Sequence, residues 1–235
     1  MRIKKYKKEY EYSYALGASP SIELLENRPQ DCMRVYYSPD YQDKDNKIRN
    51  LCELDNISFE ENQKIINILS PKENCYVIAA FYKREYKLEK AKSHVILDNP
   101  SDMGNIGTII RSCAGFGVNN LALIKGADAY NPKAVRASMG AFFHVNLEYF
   151  ASIQDYIKAH GEGRELYAFM LNADNNLTDI CAGDKIYTLI FGNESSGLDY
   201  NIYKDIASVS IKQTDAVDSL SLPIAVSIAL FWMGR

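Results

Sequence analysis

The chain has 235 residues and a mass of 26.6 kDa, which suits one or two α/β-sized units and is too short for three. With 47% hydrophobic, 24% charged and 11% aromatic residues it can bury a sizeable core, which excludes intrinsic disorder and low-complexity scaffolds. A net charge of -3 argues against a wholly basic nucleic-acid-binding surface but leaves room for a local basic patch, because residues 1–95 hold 17 Lys and Arg against 15 Asp and Glu while residues 96–235 hold 10 against 15.

The chain opens on Arg2, Lys4, Lys5, Lys7 and Lys8, enough cations to meet a few phosphates, although a solvated tail is the plainer reading of a terminal charge run. Tyr6, Tyr10, Tyr12 and Tyr14 are interleaved with them and can either pack or stack on bases. Polar Glu9–Tyr12 stands where a signal peptide would be apolar. Helix is expected at about 20–27, strand at Met33–Tyr37, helices at 44–53 and 60–69, and strand at Cys75–Phe81, a small α/β module. The charged segment Lys83–Lys92 separates two apolar runs and is the best boundary, giving expected domains of 1–90 and 91–235.

Beyond it the alternation is clearer. Strand candidates Val95–Leu97, Leu121–Ile124, Val145–Tyr149, Leu166–Met170, Tyr187–Phe191 and Val209–Ile211 are separated by helix-length segments, the pattern of a parallel sheet covered on both faces. Ligands of such sheets bind beyond the carboxyl ends of strands, which directs attention to the loops after Leu97, Phe191 and Ile211.

The loop after Leu97 leads into a helix whose Ile106, Ile109, Ile110, Cys113 and Ala114 form a buried stripe, with Arg111 just off its edge. Gly104-x-x-Gly107 hints at a phosphate turn, yet the dinucleotide fingerprint is absent. After Phe191 comes Gly192-Asn193-Glu194-Ser195-Ser196-Gly197, where a missing Cβ at Gly192 admits close approach and Gly197 turns the chain. After Ile211 a polar stretch reaches Ser219-Leu220-Ser221, with Asp218 or Ser219 expected to cap a final helix carrying Pro223 in its first turn. That helix, apolar nearly all round, needs a core or another subunit to cover it.

In this order and spacing, Asn105-x-Gly107-x-x-x-Arg111, Gly192-Asn193-Glu194-x-x-Gly197 and Ile211 with Ser219-Leu220 resemble the three motifs of the SpoU (TrmH-like) branch of the SPOUT RNA methyltransferases. Asn131-Pro132-Lys133-Ala134-Val135-Arg136-Ala137-Ser138-Met139-Gly140-Ala141 is also similar to that branch, and residues 1 to about 90 resemble the small ribosomal-protein-like substrate-binding domain of many members. The resemblance implies a C-terminal trefoil-knotted parallel α/β sheet binding S-adenosylmethionine through Gly192, Asn193, Glu194, Ile211, Ser219 and Leu220, and a homodimer with a shared site. It implies methyl transfer to a ribose 2'-hydroxyl of rRNA or tRNA, with Arg111, Asn105, Glu194 and Ser221 as the catalytic set.

A guanidinium does not readily give up its proton, so Arg111 is expected to stabilise the developing alkoxide rather than act as the base, with Asn105 orienting it or the ribose and Glu194 bonded to it. Motif three departs from the family's usual residues at Lys212, Gln213, Asp215 and Ser221, which keeps two alternatives in play: a catalytically weak RNA-binding or cofactor-sensing relative, and a base-modifying enzyme. Five scattered cysteines and three isolated histidines show no metal spacing, and the longest uncharged run, Ser219–Gly234, falls short of the roughly 20 residues a membrane span needs. A cytoplasmic protein with neither metal nor membrane partner is expected.

Overall fold

The computed structural model describes residues 3–70, 74–181, 183 and 185–234. It divides into two compact units: Met1–Arg84 with Asp128–His144, and Glu85–Ala127 with Val145–Arg235. The boundary expected at residue 90 thus falls at 84, and the segment 128–144, expected with the second domain, belongs to the first. Side-chain bonding gives the reason: the buried Ser13 hydroxyl donates to the Tyr130 carbonyl, and the Tyr6 hydroxyl donates to Asp128.

The first unit is built on a four-stranded sheet of β1 (Tyr12–Leu16), β2 (Cys32–Tyr37), β3 (Phe59–Glu61) and β4 (Val77–Tyr82), in the order β1-β4-β2-β3. Central β4 reads Val-Ile-Ala-Ala-Phe with every residue buried, as a strand covered on both faces should. It pairs antiparallel with both β1 and β2, and β3 adds in parallel to β2. Around this sheet lie α1 (Ala18–Asn27), α2 (Lys47–Leu54) and α3 (Gln63–Leu69). The expected helix at 60–69 therefore starts later, after β3, with the Asn62 side chain capping α3 at the Ile65 N–H.

The second unit holds α4 (Met103–Gly115), and α5 (Pro132–Ala137) follows in the chain but packs on β1 of the first unit. The second sheet comprises β5 (His94–Asp98), β6 (Asn120–Ile124), β7 (Asn146–Phe150), β8 (Glu165–Phe169), β9 (Asn175–Asn176), β10 (Tyr187–Phe191) and β11 (Ala207–Ser210). Its seven strands run parallel in the order β7-β6-β5-β10-β8-β11-β9. Ile96, Ala122, Ala168 and Ile190 share one face with Tyr156 of α6 (Ile153–His160) and Tyr203 of α7 (Tyr200–Tyr203). The alternate residues Val95, Leu97, Leu121, Leu123 and Leu189 are equally buried and point the other way. There α4 contacts β6, and the last helix, α8 (Leu222–Met233), contacts both α4 and β10. Ile106, Ile109, Ile110 and Cys113 form the predicted buried stripe of α4, each with no exposed surface; Ala114 is half-buried.

Strand order fixes where a ligand can enter. Successive strands β5, β6 and β7 progress toward one edge, whereas β10, β8, β11 and β9 occupy the other side of β5. The reversal lies between β5 and β10, and the crevice beyond the carboxyl ends of that pair is where doubly wound sheets take ligands.

Candidate functional site

Two loops close that crevice. After β5, Asn99 adopts a left-handed backbone (φ 53) while its N–H donates to the Ile124 carbonyl at 2.7 Å. The Pro100 carbonyl accepts from the Ala127 N–H at 2.7 Å, so the loops after β5 and β6 are bonded together. Asp102 then starts α4 by accepting from the Asn105 N–H at 2.8 Å, satisfying one of the open donors of the first turn. Gly104 and Gly107 lie inside α4, so the Gly-x-x-Gly pair is helix rather than a phosphate turn.

After β10 the chain doubles back through a bridge between Asn193 and Gly197, with the Gly197 N–H donating to the Asn193 carbonyl at 2.9 Å. A Cβ on Gly192 would stand 2.2 Å from the Gly197 carbonyl carbon, so only glycine permits this return. Asn193 holds the loop from inside: its Oδ1 accepts from the Ser195 N–H at 2.9 Å and its Nδ2 donates to the Asn99 carbonyl at 2.9 Å.

Glu194 joins the two loops. Its Oε2 accepts from the Ser101 N–H at 2.9 Å and the Ser101 hydroxyl at 2.8 Å, and its Oε1 accepts from the Asp102 N–H and the Asn105 Nδ2, both at 3.1 Å. Burial alone would raise this carboxyl group's pKa, but the donors at Ser101 and Asn105 outweigh it and bring the pKa down to about 2. The site therefore contains a clamp that is ionised at neutral pH and made before any ligand arrives.

The third loop runs from half-buried Ile211 through exposed Ser219 to half-buried Leu220 without helix or strand, tied by Gln213 Nε2 donating to the Asp218 carbonyl at 3.2 Å. The N-cap of α8 is Ser221 rather than the expected Asp218 or Ser219; its carbonyl accepts the first helical bond and its side chain makes no capping bond. Pro223 sits in the first turn as expected.

Asn105 and Glu194 are thus brought together, and Gly192 and Asn193 build the loop that presents Glu194. Arg111 is not joined to them. It lies about 9 Å along α4 from Asn105 and about 120° round the helix, exposed, with no hydrogen bond or ion pair to any described residue. The expected Glu194–Arg111 bond is replaced by the Ser101, Asp102 and Asn105 donors, because the carboxylate is consumed at the start of the helix. Ser101 and Asp102, missing from the expected site, were signalled by their place: polar residues immediately before an apolar-periodic helix are its capping positions.

On α8, Leu222, Val226, Ala229, Leu230 and Met233 are buried, whereas Ile224, Ile228 and Phe231 are 51%, 37% and 53% exposed. Phe231 meets Phe116, 44% exposed at the end of α4, edge-on at 6.3 Å. The Ser112 and Ser227 hydroxyls bond at 2.8 Å between the two helices, and Trp232 Nε1 donates to the Ile180 carbonyl at 2.9 Å. Among the described residues no group of three or more His, Cys, Asp or Glu is placed to hold a metal, and no helix is long and apolar enough to cross a membrane.

Comparison with known proteins agrees with this geometry. The chain is 29% identical over 159 residues to the 23S rRNA (guanosine(2553)-2'-O)-methyltransferase RlmP of Bacillus subtilis, a match covering 66% of this chain and 63% of that protein. The AdoMet-bound rRNA methyltransferase from Sinorhizobium meliloti superposes with a TM-score of 0.81 at 26% identity, over 94% of this chain and 86% of that one. The SpoU methyltransferase AviRb from Streptomyces viridochromogenes, in complex with AdoMet, shares the fold with a TM-score of 0.81 at 22% identity, over 96% of this chain and 90% of that one. The SPOUT-type parallel α/β fold implied by the sequence is shared with these structures. The profile of the SpoU rRNA Methylase family matches residues 92–231, spanning all three loops and the Glu194 clamp, and the chain belongs to that family.

Proposed function

We propose that the chain transfers a methyl group from S-adenosylmethionine to a ribose 2'-hydroxyl of ribosomal RNA. The observation that carries this reading is the Glu194 clamp, which fixes the loops after β5 and β10 against each other at the sheet's reversal point within the family's matched segment.

The residues present suit the cofactor. The main chain of 192–194 and 219–220 offers amides and carbonyls to an adenine edge, and half-buried Ile211 and Leu220 supply apolar walls. When bound, S-adenosylmethionine supplies an electrophilic sulfonium methyl. Glu194 and Asn105 hold the loops rigid, so that orientation is settled before the reaction. Arg111, unpaired and exposed, supplies a fixed positive charge for the developing alkoxide or an adjoining phosphate. The Ser221 hydroxyl, free of a capping bond, can donate one hydrogen bond near the acceptor ribose.

A second copy of the chain completes the assembly. Exposed Ile224, Ile228 and Phe231 recur at i, i+4 and i+7 on a helix without a single charged residue, and Phe116 extends the patch, which favours a homodimer. Arg111 stands on α4 beside the helix that carries this patch, so its partners belong to the assembled site. The first unit serves as the RNA substrate-binding domain, and the free thiols of all five cysteines fit a cytoplasmic protein.

Incubation with methyl-labelled S-adenosylmethionine and ribosomal RNA from cells lacking the protein, followed by digestion to nucleosides, tests the reading. Label in 2'-O-methylnucleosides supports it. Label in a base assigns the base-modifying reaction, and RNA binding without incorporation assigns the catalytically weak relative suggested by Lys212 and Ser221.

A further inference from the structure

The lysine-rich start is not a solvated tail. The Tyr14 hydroxyl donates to the Lys4 carbonyl at 2.6 Å, and Lys83 Nζ donates to the Lys8 carbonyl at 2.8 Å, so residues 4–8 are held to the first sheet at both ends. Between these ties Tyr6 packs, with Ile3, on the cluster of Tyr14, Tyr36, Ile66, Ile78 and Ala80, and the Lys83 ammonium lies 4.5 Å from the Tyr6 ring centroid. Lys4, Lys5, Lys7 and Lys8 are all exposed on this anchored backbone.

The tyrosines divide into two sets. Tyr14 is buried and Tyr6 is bonded to Asp128, so both serve the fold. Tyr10 and Tyr12 stack on each other, half-buried, with ring centroids 5.2 Å apart and planes 18° from parallel, and Tyr12 also packs edge-on against Tyr14 at the border of that cluster. Directly across the strand pair from Tyr12 stands Tyr82, 45% exposed, and side chains of directly opposed residues share one face. Partly exposed aromatic rings thus stand in the same anchored part of the sheet as four exposed lysines. The neighbouring acids do not cancel them: Glu9 approaches Lys7 only to 3.9 Å with both side chains mostly exposed, and such pairs hold little.

We propose that Tyr10, Tyr12 and Tyr82 form a stacking platform for unpaired RNA bases, with phosphates of the same strand at Lys4, Lys5, Lys7 and Lys8. The proposal rests on the RNA-modifying reading and names where a single-stranded part of that substrate is held. Unpaired bases are required because a duplex hides the base faces that tyrosine rings contact.

The test uses the full chain and a short fluorescein-labelled oligouridine, read by fluorescence anisotropy, alone or annealed to oligoadenosine. Wild type is expected to prefer the single strand. Tyr10→Leu combined with Tyr82→Leu should weaken single-strand binding about tenfold or more, the scale of one base–aromatic stack, while the Phe counterparts bind like wild type. Lys4→Ala with Lys5→Ala should lower the slope of log affinity against log salt by about 1. Circular dichroism melting checks the fold, and if the Leu variant melts early, the preference of wild type for single strand over duplex and the salt slope of the lysine variant decide. Leu variants that bind like wild type, or equal affinity for single strand and duplex, overturn the platform. Wild type that binds neither probe yet methylates ribosomal RNA overturns it and leaves the methyl-transfer reading standing; absence of both binding and transfer overturns both.

Discussion

Replacing Glu194 with glutamine isolates the clamp. The carboxylate accepts four hydrogen bonds, two of them from main-chain N–H groups at Ser101 and Asp102. A glutamine keeps one acceptor oxygen and turns an NH2 group toward the rest. If that oxygen stays on Ser101, the Asn105 amide can flip to present its own oxygen, but the Asp102 N–H has no such option and loses its partner. Loss of charge-assisted bonds and one stranded donor costs about 2–4 kcal/mol when buried; Ser101 and Asp102 are exposed, water compensates, and about 2 kcal/mol is expected. The acid side supplies an independent check. Held at about 2 instead of its ordinary 4.5, the Glu194 pKa contributes stability that is complete above 4.5 and disappears as pH falls toward 2. The interval caps this at about 3 kcal/mol, and solvent screening of a partly exposed group reduces it to about half. The single tryptophan, Trp232, lies in α8 of the same unit, so its fluorescence in a urea titration reports on the right part of the chain. Glu194→Gln should unfold about 2 kcal/mol more easily at pH 7, with the difference shrinking by pH 3. Equal stability at pH 7, or a deficit independent of pH, would refute the clamp as an energetic feature.

Arg111→Ala should lower methyl transfer at least a hundredfold while calorimetry finds cofactor affinity within about twofold of wild type; near-normal turnover removes Arg111 from the reaction. His94, fully buried, donates from Nε2 to the Glu89 carbonyl at 2.9 Å and accepts at Nδ1 from the Tyr156 hydroxyl at 2.8 Å, and burial brings its pKa down from 6.5 to about 4. The unfolded chain therefore takes up a proton that the folded chain refuses, and stability should fall by about 2 kcal/mol between pH 7 and pH 5, a loss flattened in His94→Gln. If the proposed dimer forms through this stripe, a charge there, Ile228→Glu, should give a monomer in analytical ultracentrifugation where wild type sediments as a dimer; an unchanged sedimentation coefficient rules this face out as the interface.

Much of the second unit was legible because its strands are uniform. Tyr187–Phe191 is buried throughout and bounded by Lys185 and Gly192, and its predicted and observed limits coincide. The first strand was not seen. Tyr12–Leu16 follows a charged run and alternates tyrosine with small residues, and what makes it a strand is pairing with β4 more than sixty residues later. The segment 128–144 reads as part of the surrounding alternation, and only the Ser13–Tyr130 and Tyr6–Asp128 bonds, remote in sequence, assign it to the first sheet. At the site, motif spacing located Asn105 and Glu194 but not their direct bond. Arg111 lies six helical positions after Asn105, which puts them on different sides of α4, so proximity in a motif did not mean contact.

The interleaving of the two units bears on the order in which the chain can mature. The polypeptide passes from one unit to the other three times, after Arg84, Ala127 and His144. During synthesis the first sheet has its four strands once Tyr82 emerges, yet Ser13 and Tyr6 wait for a stretch made some fifty residues later. A fragment cut near residue 84 would present a buried hydroxyl with no acceptor and an uncovered face where α5 packs on β1. The first unit is therefore a module by contact but not by heredity of sequence: it cannot be excised, grafted or swapped as one contiguous piece. Insertions that evolution or an engineer adds to the join at 84 leave its tether at 128–144 untouched.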